Sequence, residues 1–155
     1  MTVAVTGGLK ERWRSRPLWA RWLLVVYGLG FCEGACAHLL DLFRGGIHVY
    51  ASFAPVPLQV FFIGLVLLDP LVVVLVWLVR PEGIRLASAV MLLDVTANWF
   101  VNWPQLQENP AWLLRPVGLL PITIFGLFVM ASSIPLFRAA KGPRGDAHTT
   151  RCTAG

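Results

Sequence analysis

The sequence predicts an all-α membrane protein: a bundle of four transmembrane helices with both the N-terminus and the C-terminus cytoplasmic. Three observations predict it. Of 155 residues 57% are hydrophobic and only 14% charged, against about half apolar and a quarter charged in a soluble domain. The apolar residues are gathered into four long runs, as lipid-facing segments require. The basic residues collect at one set of segment ends, which is the mark of an oriented membrane protein.

The first eighteen residues are polar, glycine-containing and basic (Lys10, Arg12, Arg14 and Arg16), without a regular pattern. They predict a flexible basic arm, with a short interfacial stretch around Trp13, Trp19 and Trp22. The membrane domain follows over 19–138, with spans at about 22–43, 58–79, 84–103 and 117–137. Each is about 20 residues, enough at 1.5 Å per residue to cross a hydrocarbon layer of about 30 Å. The alternative in lipid, a closed β-barrel, needs alternating strands of about ten residues that the chain lacks.

The connections carry turn chemistry. Gly45, Gly46, Pro55 and Pro57 lie in the first, Arg80, Pro81, Glu82 and Gly83 form the tight second one, and Pro104, Pro110 and Pro116 mark the third. Residues 139–155 read as a disordered cytoplasmic tail.

Counting charges orients the bundle. With the termini inside, the inner regions hold Lys10, Arg12, Arg14, Arg16, Arg21, Arg80, Arg85, Arg138, Lys141, Arg144 and Arg151, and the outer loops only Arg44 and Arg115. This bias predicts the cell membrane as the location and sets nucleic acid aside as the reason for the net charge of +5. A cleaved signal peptide over residues 1–37 is the rival reading, since Ala35-Cys36-Ala37 follows a basic start and an apolar run. Glu33 speaks against it, because the cleavage region should be small and neutral, and the apolar stretch continues past it.

The placement of the acids is the most informative feature. Glu33, Asp69 and Asp94 fall near the middle of segments one, two and three, and Asp41 with His38 lies further along segment one. A central carboxylate costs roughly 2.5–3.5 kcal/mol on insertion, and each Leu, Ile, Phe or Val returns about 0.3–0.6. Segment two, with 17 such residues between Leu58 and Val79, can carry Asp69 and still insert. The three acids should therefore turn toward one another. Every Arg and Lys sits at a segment end, so only His38 offers a base at mid-depth. Such carboxylates are expected to share protons or to take a cation or basic ligand.

Helical spacing gives the site a direction. Asp94, Asn98 and Asn102 recur every four residues and form one stripe climbing toward the outer surface. His38 and Asp41 line the outer half of segment one, and Gln59 begins segment two at the same surface. The inner halves are almost purely apolar. The pattern predicts a cleft open to the outer side, floored by Glu33, Asp69 and Asp94, and widened by kinks at Pro70, Pro121 and Pro135. The plainer readings are interhelical glue for Asn98 and Asn102, a capping or solvated role for Asp41, and belt or packing roles for Trp99, Trp103, Phe61 and Phe62. Cys32 and Cys36, four apart, fit packing better than a disulfide or a metal site.

Four short helices with His38 and Asp41 on the first, Asp69 on the second, and Asp94, Asn98 and Trp99 on the third resemble the EXPERA group over about residues 22–137. That group holds the emopamil-binding sterol isomerases and the sigma-2 receptor type proteins. The resemblance implies a lipid-accessible pocket for sterols or amines, in which intramembrane acids move protons on and off a ring double bond.

From these residues the expected function is a site for a hydrophobic small molecule, such as a sterol, isoprenoid or lipophilic amine, within the membrane. It extends to an isomerase or cyclase working by proton transfer. Asp94 or Asp69 would donate the proton, Glu33 would steady the carbocation, and His38 with Asp41 would relay the departing proton. Asn98, Asn102, Trp99 and Gln59 are the expected ligand-binding side chains. The alternatives are proton- or cation-coupled transport by a homo-oligomer, and a non-catalytic membrane subunit whose polar centre only fixes helix pairing. Membrane lipid and a hydrophobic ligand are the expected partners. No metal or cofactor is expected, since the chain has no phosphate-cradling glycine loop, nucleophile elbow, zincin helix or C-x-x-C pair.

Overall fold

Five α-helices account for most of the chain: α1 (Thr2–Arg14), α2 (Leu18–Gly45), α3 (Val56–Trp77), α4 (Pro81–Glu108) and α5 (Leu119–Lys141). The computed structural model describes residues 2–115 and 118–141. Positions 116 and 117, at the predicted start of segment four, lie outside the described residues, as does 142–155 of the predicted tail, including Cys152. Among the described residues there is no β-strand. Helices α2 to α5 are each long and apolar enough to cross a membrane.

Their outer faces explain why. Leu29, Phe43, Val60, Leu67, Val74, Leu92, Ile124, Leu127 and Ile134 are all exposed. Large apolar side chains displayed on every helix suit lipid and would be a liability in water.

The predicted segments differ from the helices chiefly at their ends. The stretch before α2 is regular, being helical over Thr2–Arg14. Trp13 turns back from it, its indole N–H donating to the carbonyl of Trp77 at 2.8 Å and its ring packing 5.2 Å from that of Trp77. Arg16 donates to the carbonyl of Ala139. These contacts gather residues 13–16, Trp77 and Ala139 at one end of the bundle, the terminal end.

Helix α4 starts at Pro81, whose missing N–H would be unpaired there anyway, and runs through Pro104 to Glu108 rather than stopping near Trp103. The third connection is thereby shorter than expected and holds a 3-10 turn, Pro110–Leu114. Asn109 caps it by accepting from the N–H of Ala111 at 3.1 Å. A second 3-10 turn, Gly46–His48, leads into the first connection. These two connections define the loop end.

The α3–α4 turn is a Schellman closure. The Arg80 N–H donates to the Leu75 carbonyl at 3.0 Å and the Val79 N–H to that of Val76 at 2.9 Å. Val79 holds φ at 53°, a conformation usually left to glycine, and its side chain is buried.

Around the bundle α2 packs on α3, α3 on α4, and α4 on α5, while α5 meets α2 only sparsely. The α2–α5 contact lies in the terminal half. Tyr27 donates its hydroxyl proton to the Val129 carbonyl at 2.8 Å and lies 3.0 Å from the Ser132 hydroxyl. This buried knot is an exception to the expected apolar inner halves. Above it Phe31 meets Phe125 edge-on at 5.7 Å. Cys32 and Cys36 are free and exposed on α2.

Candidate functional site

Beyond the Phe31–Phe125 contact the gap between α2 and α5 opens into a cavity of about 300 Å³ at the loop half of the bundle. Helix α2 lines it with Glu33, Gly34, Ala37, His38 and Asp41, and α5 with Pro121, Ile122 and Phe125. Asp69 of α3 and Asp94 of α4 form the back wall. The volume lies at the lower end of small-molecule sites, which start at about 300 Å³.

The two wall carboxylates are the most enclosed acids of the site, Asp69 being 4% and Asp94 7% exposed. Asp94 is fixed by its own helix: the Asn98 side-chain amide donates to Asp94 Oδ1 at 2.9 Å and to the Asp94 carbonyl at 3.0 Å. The pattern repeats upward. The Asn102 amide donates to the Asn98 carbonyl at 2.9 Å, and Trp112 Nε1–H donates to Asn102 Oδ1 at 3.0 Å. The stripe of α4 is thus a hydrogen-bonded ladder tied to the 3-10 turn above it. Asp69 has a different support, the absence of a side chain on Gly34.

At the loop end α2 contributes a second cluster. Tyr50, buried in the first connection, donates its phenolic proton to Asp41 Oδ2 at 3.3 Å and lies 3.1 Å from His38 Nδ1. The phenol thus bridges Asp41 and the His38 ring. Phe62 stacks on the imidazole at 6.1 Å between centroids. Burial, followed by the charge of Asp41 and the hydrogen bond to it, raises the Tyr50 hydroxyl well above its ordinary value, so the phenol stays protonated.

Seven of the nine predicted site residues meet at this cavity: Glu33, His38, Asp41, Asp69, Asp94, Asn98 and Asn102. Glu33 differs from the other two central acids in being exposed, so it stands at the rim rather than on a floor. The two remaining predicted ligand contacts lie elsewhere. Gln59 donates to the Ala54 carbonyl at 2.8 Å and closes the start of α3. Trp99 donates to the Thr123 hydroxyl at 2.8 Å and borders a separate surface hollow with Phe53 and Trp103.

The sequence reading missed three polar side chains, Trp112 and Arg115 on the cavity wall and Tyr50 against His38 and Asp41. All three sit in connections, where no periodicity points a side chain inward. Arg115, at a segment end as the sequence places every arginine and lysine, also lines the cavity, its guanidinium stacked 3.3 Å from the centre of the Trp112 ring. The site is therefore acidic at its back wall and basic at one edge. Among the described residues no three of His, Cys, Asp and Glu converge closely enough to hold a metal ion.

No family model, curated protein or solved structure matches the chain.

Proposed function

We propose that this chain binds a hydrophobic small molecule, of the sterol, isoprenoid or lipophilic-amine class, in the cavity between α2 and α5. The observation that carries the reading is the pairing there of two enclosed carboxylates from different helices, Asp69 and Asp94, beside apolar walls from Phe31, Met91, Ile122 and Phe125. Membrane-embedded acids are costly and are retained mostly where they serve a ligand, an ion or a proton. A basic nitrogen or a transient carbocation is the partner such acids suit. The resemblance to the EXPERA group supports the same reading.

Proton-transfer isomerisation or cyclisation is the chemistry we attach to it. Asp94 or Asp69, carried as the acid, donates to an alkene, and the second carboxylate with Glu33 steadies the cation. His38, oriented by Tyr50 and Asp41, accepts the departing proton. The charge count supports a cell-membrane protein with both termini cytoplasmic, the cavity lying toward the outer side.

The extent of the titratable set favours one second reading, a proton or cation relay in a homo-oligomer. Carboxylates and an imidazole run from Asp69 and Asp94 to Asp41 and His38, with Glu33 exposed on α2.

The deciding experiment is thermal denaturation of detergent-purified protein against sterols, isoprenoids and lipophilic amines, beside Asp69→Asn and Asp94→Asn. One class should raise the midpoint for wild type and for neither variant. No response to any class rejects the binding reading. Proton flux in liposomes that disappears in both variants then establishes the relay, and its absence leaves a polar centre that only fixes helix pairing.

A further inference from the structure

A second polar concavity lies at the opposite, terminal end of the bundle. Between α4 and α5 a groove of about 320 Å³ is lined by Ile84, Arg85 and Ser88 on one side and by Ser133, Ile134, Phe137 and Arg138 on the other. Two guanidinium groups from facing helices thus border one hollow together with two hydroxyls, Ser88 donating to the Ile84 carbonyl at 3.0 Å and Ser133 to the Met130 carbonyl at 2.8 Å. A third cation stands close by. Arg85 lies 4.5 Å and the Lys141 ammonium 4.7 Å from the centre of the Phe137 ring, which gathers both charges at the groove.

Opposing charge is scarce. Helix α5 has no acidic residue, and Glu82, the acid of the α4 first turn, does not line the groove. Arginine pairs bind phosphate through several parallel N–H donors, and a serine hydroxyl that turns away from its own helix carbonyl donates a further hydrogen bond. The apolar residues then indicate what the phosphate is attached to. From Phe137 the exposed Ile134, Met130 and Leu127 follow at helical spacing along one face of α5 toward the bundle middle. A charged site at the helix ends continuing into an apolar stripe has the shape of a headgroup with its acyl chain.

We propose that this groove binds the phosphate of an anionic phospholipid, with Arg85 and Arg138 as ligands, Ser88 and Ser133 as hydrogen-bonding partners, and the acyl chain along Ile134, Met130 and Leu127. Basic pockets between helix ends are a recurrent way of holding such headgroups. The site is independent of the cavity between α2 and α5 and of any activity there.

The test uses the full chain in detergent, with lipid retention read by native mass spectrometry and the thermal midpoint read alongside. Phosphatidylglycerol should be retained over phosphatidylcholine, and it should raise the midpoint. Arg85→Gln and Arg138→Gln should each weaken phosphatidylglycerol retention about five-fold, whereas Arg44→Gln, at the other end, should leave it unchanged. Ser133→Leu, which fills the groove while keeping both arginines, should weaken it as well, and this covers an arginine variant that fails to fold. Equal retention of the two lipids, or retention indifferent to all the groove substitutions, overturns the proposal. Stabilisation by inorganic phosphate equal to that by the lipid overturns it too, since the acyl stripe would then contribute nothing.

Discussion

A Cβ atom on Gly34 would lie 2.9 Å from Oδ2 of Asp69, closer than side chains approach one another. The α3 carboxylate reaches the cavity because α2 presents bare backbone opposite it. Six residues earlier on the same helix, Gly28 has open space where a Cβ would stand. The pair isolates a local effect. Gly28→Ala should raise stability by about 0.5–1 kcal/mol, the usual gain of alanine over glycine within a helix. Gly34→Ala should lose that gain, because Asp69 must shift, and should reduce any ligand-induced rise in melting temperature. Thermal denaturation of both variants with and without ligand checks this. Equal gains for the two would show that Asp69 tolerates displacement.

Asp94 depends on Asn98 for its hydrogen bond. Removing the amide leaves an enclosed carboxyl group short of a partner, at a cost of about 1–3 kcal/mol. Asn98→Ala should therefore be clearly destabilising. In a double-mutant cycle with Asp94→Ala the two losses should fall short of additive by about 0.5–3 kcal/mol. Simple additivity in detergent denaturation would separate the two residues energetically.

Tyr50 sets a pH dependence that lies at the alkaline end. Its hydroxyl is raised above the ordinary 10.0 by burial and by Asp41. In the unfolded chain the phenol ionises near pH 10, whereas in the folded chain it keeps its proton to higher pH. The unfolded state then binds fewer protons, so this contribution is present below about pH 10 and is lost as pH rises beyond it. Melting temperatures from pH 8 to 11 should fall more steeply for wild type than for Tyr50→Phe. The variant should also start lower, having lost the contacts to His38 and Asp41.

Val79 combines strain with burial. Holding a β-branched residue in the left-handed region costs about 1–2 kcal/mol. Burying its side chain returns about 1.5–3 kcal/mol. Val79→Gly trades one for the other and should stay within about 1 kcal/mol of wild type. Val79→Ala forfeits most of the burial while keeping much of the strain, so it should be the less stable of the two. The reverse order by denaturation would mean that packing of Val79 outweighs its backbone conformation.

Four helices long and apolar enough to cross a membrane, their order and the placement of Asp69, Asp94, Asn98 and Asn102 around one cavity were all legible in the sequence. The reason is the insertion energy of apolar runs of about 20 residues, together with the cost of showing a carboxylate or amide to lipid. Both follow from composition and from the 3.6-residue period, and neither needs a tertiary contact. Helix ends were less legible: α4 passes through Pro104 because one missing N–H does not end a helix whose other hydrogen bonds stand. What only the tertiary structure decided is which helices leave a gap and what closes it. The cavity lies between α2 and α5 because the Tyr27, Phe31 and Phe125 contacts hold those helices together at one end only. Trp112 and Arg115 join it, and Tyr50 backs His38 and Asp41, from connections, where side-chain direction follows the path of the chain and not a repeating angle. Gln59, at the right depth, turns instead to the Ala54 carbonyl at its own helix start. Depth is a one-dimensional property and can be counted along a chain; convergence on a point is three-dimensional, and only packing decides it.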